Sequence, residues 1–161
     1  MEIPFSGTII RALSKMFGFA MKNYYTKQKL SSMVKINISS EHSGITVNCS
    51  ELPDARVWFE VTNLSPFPVT IHGIEAELYL SGRVARFVNL FNQEVPPSDQ
   101  DRVFIQTDLS GKQSAHIKRN MGIDNPRLII KMFLSCNLRT FEIDGREITT
   151  KNIEFMNCSN S

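Results

Sequence analysis

Residues 56–91 read RVWFEVTNLSPFPVTIHGIEAELYLSGRVARFVNLF, and their alternation decides the fold class. Val57, Phe59 and Val61 alternate with Arg56, Trp58, Glu60 and Thr62. A period of two puts one face of a strand on a core and turns the other away. Asn63, Ser65, Pro66 and Pro68 then interrupt the pattern; proline cannot donate to a ladder, so a turn or an edge crossing follows. Val69 and Ile71 restart an inward set, but beyond Gly73 that set becomes Ile74, Ala76, Leu78 and Leu80. The parity slips by one residue, which predicts a bulge at Gly73. Ser81-Gly82 is a turn.

The same pattern continues on both sides. Val34, Ile36 and Ile38 alternate, and Gly44–Val47 forms a short strand. Residues 92–100 read as a loop, 102–107 as a strand with Val103 and Ile105 on one side, and Ala115 with Ile117 as another short strand. Arg127–Cys136 is the cleanest strand, with Leu128, Ile130, Met132, Leu134 and Cys136 facing in. Asp144-Gly145 predicts a two-residue hairpin loop that sets Phe141 opposite Ile148. A further bend near Thr150 would reconcile Ile153 and Phe155 with that parity. Strands at intervals of about ten residues, joined by turn signals, predict an all-β antiparallel sandwich. Phe59, Val61, Ile71, Leu78, Leu128, Ile130 and Leu134 are its expected core. Trp58 is outward by parity, either exposed or, as preferred here, under a crossing loop.

The stretch resembles the type-2 late embryogenesis abundant family, also called the water stress and hypersensitive response domain. The family pattern is a strand ending in Asn-Pro-Asn, a Pro-Val or Pro-Ile restart and a long strand closed by Gly. Val61-Thr62-Asn63, Pro68-Val69 and Gly82 follow it, and Leu64 and Ser65 depart from it. Val95-Pro96-Pro97 with Val103-Phe104-Ile105, and Leu128-Ile129-Ile130, look like its later segments. The resemblance implies an immunoglobulin- or fibronectin-like sandwich; for function it implies little beyond a stress-related family that is mostly non-enzymatic.

The chain has 161 residues with 18 Lys and Arg against 16 Asp and Glu. That length suits one domain with an extension. The charge is uneven. Residues 1–35 carry Arg11, Lys15, Lys22, Lys27, Lys29 and Lys35 against Glu2 alone, while the rest holds 12 basic and 15 acidic residues. The basic excess sits at the N-terminus and not on the faces of the β-domain, so no nucleic-acid partner is expected.

Residues 8–25, TIIRALSKMFGFAMKNYY, carry that excess on a predicted amphipathic helix. Arg11, Lys15 and Lys22 fall within roughly 40° of each other around it. Ile9, Ala12, Leu13, Met16, Phe17, Phe19, Ala20 and Tyr24 cover the other side. The uncharged run before Lys22, Met16 to Met21, is six residues long. That is too short to span a bilayer or to act as a secretory signal. Three roles stay open: an interfacial membrane anchor, a helix docked on the sandwich, and a mitochondrial presequence, for which a single Arg is few. The membrane-binding candidates are Ile9, Arg11, Leu13, Lys15, Met16, Phe17, Phe19 and Lys22. Thr26–Ser32 reads as a polar linker. The expected organisation is residues 1–32 helix and linker, 33–156 sandwich, and 157–161 tail.

Chemistry is sparse. His72 with Glu75 and Glu77 is the best metal-ligand set, and it reads as a solvated strand face. Asp99 and Asp101 beside Arg102 read as solubilising charges. No phosphate loop, zinc motif or nucleophile elbow is present, so neither catalysis nor a cofactor is expected. Cys49 and Cys158 sit in two Asn-Cys-Ser triplets. They would pair in an oxidising compartment, but without a signal peptide they are expected as free thiols. Asn-x-Ser triplets at Asn37, Asn48, Asn63 and Asn157 are weak glycan signals. The reading that follows is a non-enzymatic module held peripherally at a membrane by its helix, on the cytoplasmic side rather than secreted. The alternative is a soluble interaction or assembly subunit whose helix docks on the sandwich or on a protein partner.

Overall fold

The structure is a computed structural model. It describes residues 6–41, 43–149, 151 and 153–158, with side chains from Ser14 onward. The N-terminal helix α1 spans Ser6–Tyr24, and a second helix, α2, spans Lys27–Met33. The residues expected to form a linker therefore form a helix. Thr26 caps it, its hydroxyl accepting from the Lys29 N–H at 3.2 Å. Leu30 makes it part of the domain, because that side chain is fully buried in the core. Polarity all round hid a single apolar anchor.

Among the described residues nine strands form two sheets. In the first, β3 (Asp54–Asn63) is central. Along one edge β6 (Asp99–Asp108) pairs with it over its whole length, from Asp54 opposite Asp108 to Asn63 opposite Asp99. On the other edge β1 (Val34–Ile38) covers one half and β2 (Ile45–Asn48) the other. β9 (Ile153–Met156) lies outside β2 and runs parallel to it. The second sheet has the order β5–β4–β7–β8, with β4 at Val69–Tyr79, β5 at Arg83–Val95, β7 at Arg127–Ser135 and β8 at Thr140–Thr149. All its pairings are antiparallel.

One buried cluster joins the sheets, as the alternation requires. Phe59, Val61, Ile71, Leu78, Leu128, Ile130 and Leu134 all lie in it. β4 shifts register against both neighbours between Ile71 and Gly73, which is the expected bulge. The glycine is needed there for space, not for an unusual backbone angle. A Cβ at Gly73 would sit 2.9 Å from Leu90 Cδ2 and 3.1 Å from the Asn89 carbonyl oxygen. Gly82, by contrast, uses φ = +127°, and the Leu80 N–H donates to its carbonyl at 2.8 Å, which closes the expected turn.

Three expectations fail. Where a strand through Ala115 and Ile117 is expected, Ser110 caps helix α3 (Gly111–Asn120) instead. Ser110 and Gln113 form a capping box across that start, a pattern the sequence carried in plain view. Asp144-Gly145 makes no hairpin. β8 runs through it, and Gly145 at φ = +66° opens a bulge against β7 between Ile130 and Met132. Phe141 and Ile148 pair with Leu134 and Leu128 of β7 rather than with each other. β5 and β6 extend far into residues 92–100, leaving only a tight turn with Ser98 at φ = +57°. Thr150, where a bend was expected, lies outside the described residues. Cys136 falls beyond the end of β7 and is half-buried.

Asn63 holds the centre of the assembly and is fully buried. Its Nδ2 donates to the carbonyls of Phe67 (2.7 Å), Val95 (3.0 Å) and Pro96 (3.1 Å). Its Oδ1 accepts from the Ser65 N–H at 2.9 Å and the Ser65 hydroxyl at 2.7 Å. One amide thus ties the β3–β4 crossing to the end of β5 and satisfies buried backbone carbonyls there.

Candidate functional site

The organising feature is the junction where α1 meets the domain. At the C-terminal end of α1 the backbone carbonyls lack helical partners. Arg139, in the turn between β7 and β8, donates its Nη2 to the Lys22 carbonyl. A cation at that end also complements the helix dipole. Tyr25 adds a second tie, its ring lying edge-on to Phe67 at 5.0 Å. Lys29 of α2 sits over the Tyr24 ring, 3.2 Å from its centroid. A hydrogen bond from Lys29, and then its charge, holds the Tyr24 hydroxyl below the ordinary tyrosine value.

Away from the junction most of the described side chains of α1 are exposed. Met16 is 70% exposed, Phe17 68% and Phe19 69%. Lys15 and Lys22 are exposed as well. The side chains of Ile9, Arg11 and Leu13 lie outside the described residues. Docking of the apolar side on the sandwich, one of the expected alternatives, is not how the described part of α1 is arranged. Among the described residues no helix is long and apolar enough to cross a membrane.

Beside the junction α2 packs on β8, the edge strand of the second sheet. Between them lies a cleft of about 610 Å³ lined by Lys27, Gln28, His72, Phe133, Thr140 and Glu142, among others. His72 does not join Glu75 and Glu77. Its Nδ1 lies 2.8 Å from Asn92 Oδ1 and its Nε2 2.7 Å from Ser135 Oγ, because the bulge aims it across three strands. Glu75 and Glu77 are taken by Arg86 at 3.4 Å and Arg83 at 2.9 Å. Among the described residues no group of three His, Cys, Asp or Glu is placed to hold a metal ion. Asp101 accepts from Gln93 Nε2 at 2.7 Å, a structural contact between β5 and β6. Trp58 is half-buried, with its ring 4.6 Å from that of its cross-strand neighbour Phe104, and the connection between β1 and β2 crosses at this residue, the Ser39 N–H donating to the Trp58 carbonyl and the Trp58 N–H to the Gly44 carbonyl, each at 2.9 Å.

At the far end of the first sheet, Cys49 and Cys158 form a disulfide with Cα atoms 5.0 Å apart. This corrects the expectation of free thiols. β9 lies parallel to β2, and that pairing carries the two cysteines past the paired strand ends side by side. Sequence separation gave no hint of it. Of the four Asn-x-Ser asparagines, Asn63 is closed to modification in the folded domain by its burial and Asn37 is exposed.

Arg139, Lys27, Gln28 and Thr140 meet in this region, and the sequence marks only Lys27 among them, as one of the N-terminal basic residues. Only the fold brings them together; no spacing or motif connects residue 27 to residue 140.

No protein-family model matches the chain, and no curated protein matches it. Among solved structures it is similar to the Northeast Structural Genomics Consortium target SoR45, at 7% identity and a TM-score of 0.48 over 73% of this chain and 84% of that one. A protein from Archaeoglobus fulgidus aligns at 16% identity and a TM-score of 0.41, over 73% of this chain and 95% of that one. The Pseudomonas fluorescens alkylpurine DNA glycosylase AlkC aligns at 15% identity and 0.34, over 71% of this chain and 30% of that one. Likeness at this level carries no argument about activity.

Proposed function

We propose that the chain is a non-enzymatic module of immunoglobulin- or fibronectin-like architecture, held at a membrane surface by α1, with an adaptor or protective role. One observation carries the reading. α1 is tied to the domain at its C-terminal end, yet leaves Met16, Phe17 and Phe19 about two-thirds exposed. An apolar side of that extent, on a helix bearing Lys15 and Lys22, suits the boundary between headgroups and acyl chains. Burial of each Phe in that layer contributes up to about 1.5–3 kcal/mol, and each lysine near an anionic surface about 1 kcal/mol. These sums support reversible attachment rather than insertion. The disulfide favours an oxidising compartment for the domain, against the cytoplasmic side expected from the sequence.

Vesicle flotation tests the reading. The full chain is expected to float with anionic vesicles, to float less as salt rises, and to stay at the bottom as a Phe17→Glu, Phe19→Glu double variant. An intact chain that ignores vesicles at every salt concentration would leave the soluble interaction subunit, with α1 docked on a partner protein, as the better reading.

A further inference from the structure

β5 and β8 are the end strands of the second sheet, so each has one side without a strand partner among the described residues. An unpaired edge is a template for another strand, and proteins guard it with charge, bulges or cover. β8 is guarded. It carries Glu142, Asp144, Arg146 and Glu147, holds the Gly145 bulge, and has α2 packed on it. The middle of β5 carries no such charge. Residues 87–93, FVNLFNQ, hold no charged residue, proline or glycine. Val88 is 56% exposed and Leu90 83%. α3 and β6 both approach β5. The tie to β6 runs through Gln93, whose Nε2 donates to the Arg102 carbonyl at 2.9 Å. Gln93 has the inward parity of β5, so that tie leaves the outward residues clear.

The charges that flank this stretch decide what fits against it. Arg86, Val88, Leu90, Asn92 and Glu94 share the outward face of β5. Arg86 lies four residues before Leu90 and Glu94 four residues after it. The strand is therefore complementary to its own reversed copy. With two copies antiparallel and a two-fold axis at Leu90, Arg86 of each falls opposite Glu94 of the other. Leu90 then meets Leu90, and Val88 meets Asn92. Moving the axis to Asn89 or Phe91 sets Glu94 opposite Val84 or Val88 and loses both ion pairs. A two-fold contact requires a patch that complements itself, and opposite charges across an antiparallel pair favour the register that joins them. Arg86 reaches Glu75 at 3.4 Å within its own chain. That contact is exposed and weak, and the guanidinium has further N–H groups to donate. We propose that two copies of this chain associate antiparallel along β5, centred on Leu90 and held by two Arg86–Glu94 pairs. The inference does not depend on what α1 binds.

Sedimentation equilibrium of the full chain, from about 1 to 200 μM, tests it. A monomer–dimer equilibrium is expected. Leu90→Lys is expected to weaken association at least about tenfold, because it sets like charges against each other at the axis. Arg86→Glu alone and Glu94→Arg alone are each expected to weaken it about tenfold, and the Arg86→Glu, Glu94→Arg double variant to return to within roughly threefold of wild type. Lys112→Glu, on the exposed start of α3, is expected to change it less than about twofold. Thermal melts confirm that each variant folds. A chain that stays monomeric at every concentration overturns the proposal. So does a dimer that survives Leu90→Lys. A dimer abolished by Phe17→Glu, Phe19→Glu and not by Leu90→Lys places the contact on α1 and overturns it too. Single charge variants whose losses add in the double variant overturn the register, and the proposal with it.

Discussion

Arg139 and Lys22, 117 residues apart, are joined by a hydrogen bond from a guanidinium to a helix-terminal carbonyl. The bond fixes where α1 leaves the domain. Arg139→Ala should free the last turn of α1 while sparing the sheets. Hydrogen exchange of amides 20–24 is expected to rise several-fold. The melting temperature should drop by no more than about 2–4 °C, since one hydrogen bond is worth on the order of 1 kcal/mol. Loss of protection across β7 and β8 would show instead that Arg139 supports the sheet.

Gly73→Ala should destabilise by about 1–3 kcal/mol through crowding. The added Cβ meets the Leu90 side chain at 2.9 Å and the Asn89 carbonyl at 3.1 Å. Pairing it with Leu90→Ala should recover part of the loss in a denaturant melt, because an exposed side chain can be cleared and a backbone carbonyl cannot. No recovery would point to backbone conformation as the cause.

Asn63→Ala is expected to cost roughly 2–4 kcal/mol. It strips partners from the Phe67, Val95 and Pro96 carbonyls at once. Urea unfolding measures it, and a cost below about 1 kcal/mol would mean that water replaces the amide.

Reduction of the Cys49–Cys158 bridge, or a Cys49→Ser, Cys158→Ser chain, should lower stability by about 2–5 kcal/mol, the range for a bridge closing a long loop. Melts with and without a dithiol reductant give the value. Identical melts would show that the thiols do not pair in solution.

Glu77 supplies a pH signature. A hydrogen bond from the Tyr79 hydroxyl, then one from Arg83, holds its carboxyl below the ordinary glutamate range. Its folded value is thus depressed, so its contribution is fully present above the unfolded value and is lost as pH falls through the folded one. The group is near the surface, and screening keeps the contribution below about 1 kcal/mol. Glu77→Gln should narrow the stability difference from wild type as pH drops through the acidic range, and a difference independent of pH would count against the assignment.

Period-two alternation made the two-sheet core readable, because burial on one face is written residue by residue. Leu128, Ile130 and Leu134 needed no tertiary information. Local turn chemistry was less faithful. Asp144-Gly145 has the left-handed glycine a hairpin needs, but a bulge uses the same conformation, and only the partner strand decides between them. The alternation of Ala115 and Ile117 misled because two residues cannot separate a strand from a helix turn. Leu30 shows the opposite limit: a single buried side chain in a polar run leaves no period at all. A chain cut before residue 31 would therefore lose a core residue along with α1, which is why point changes on α1 are the sounder test of attachment. The cleft residues were unreadable for a simpler reason, since Lys27 and Thr140 meet only through the placement of α2 on β8.

The disulfide turns most of this chain into a closed ring with a free leading end. A single peptide cut between Cys49 and Cys158 leaves both pieces covalently joined, so a nick at the exposed turns around Ser98 or Gly122 would pass unnoticed on a non-reducing gel. A cut before Cys49 has no such safeguard. The junction after Tyr24 lies on that unprotected side, with Thr26 and Lys27 exposed, so one proteolytic event there would shed the ringed domain from its helix while keeping Leu30 and every strand.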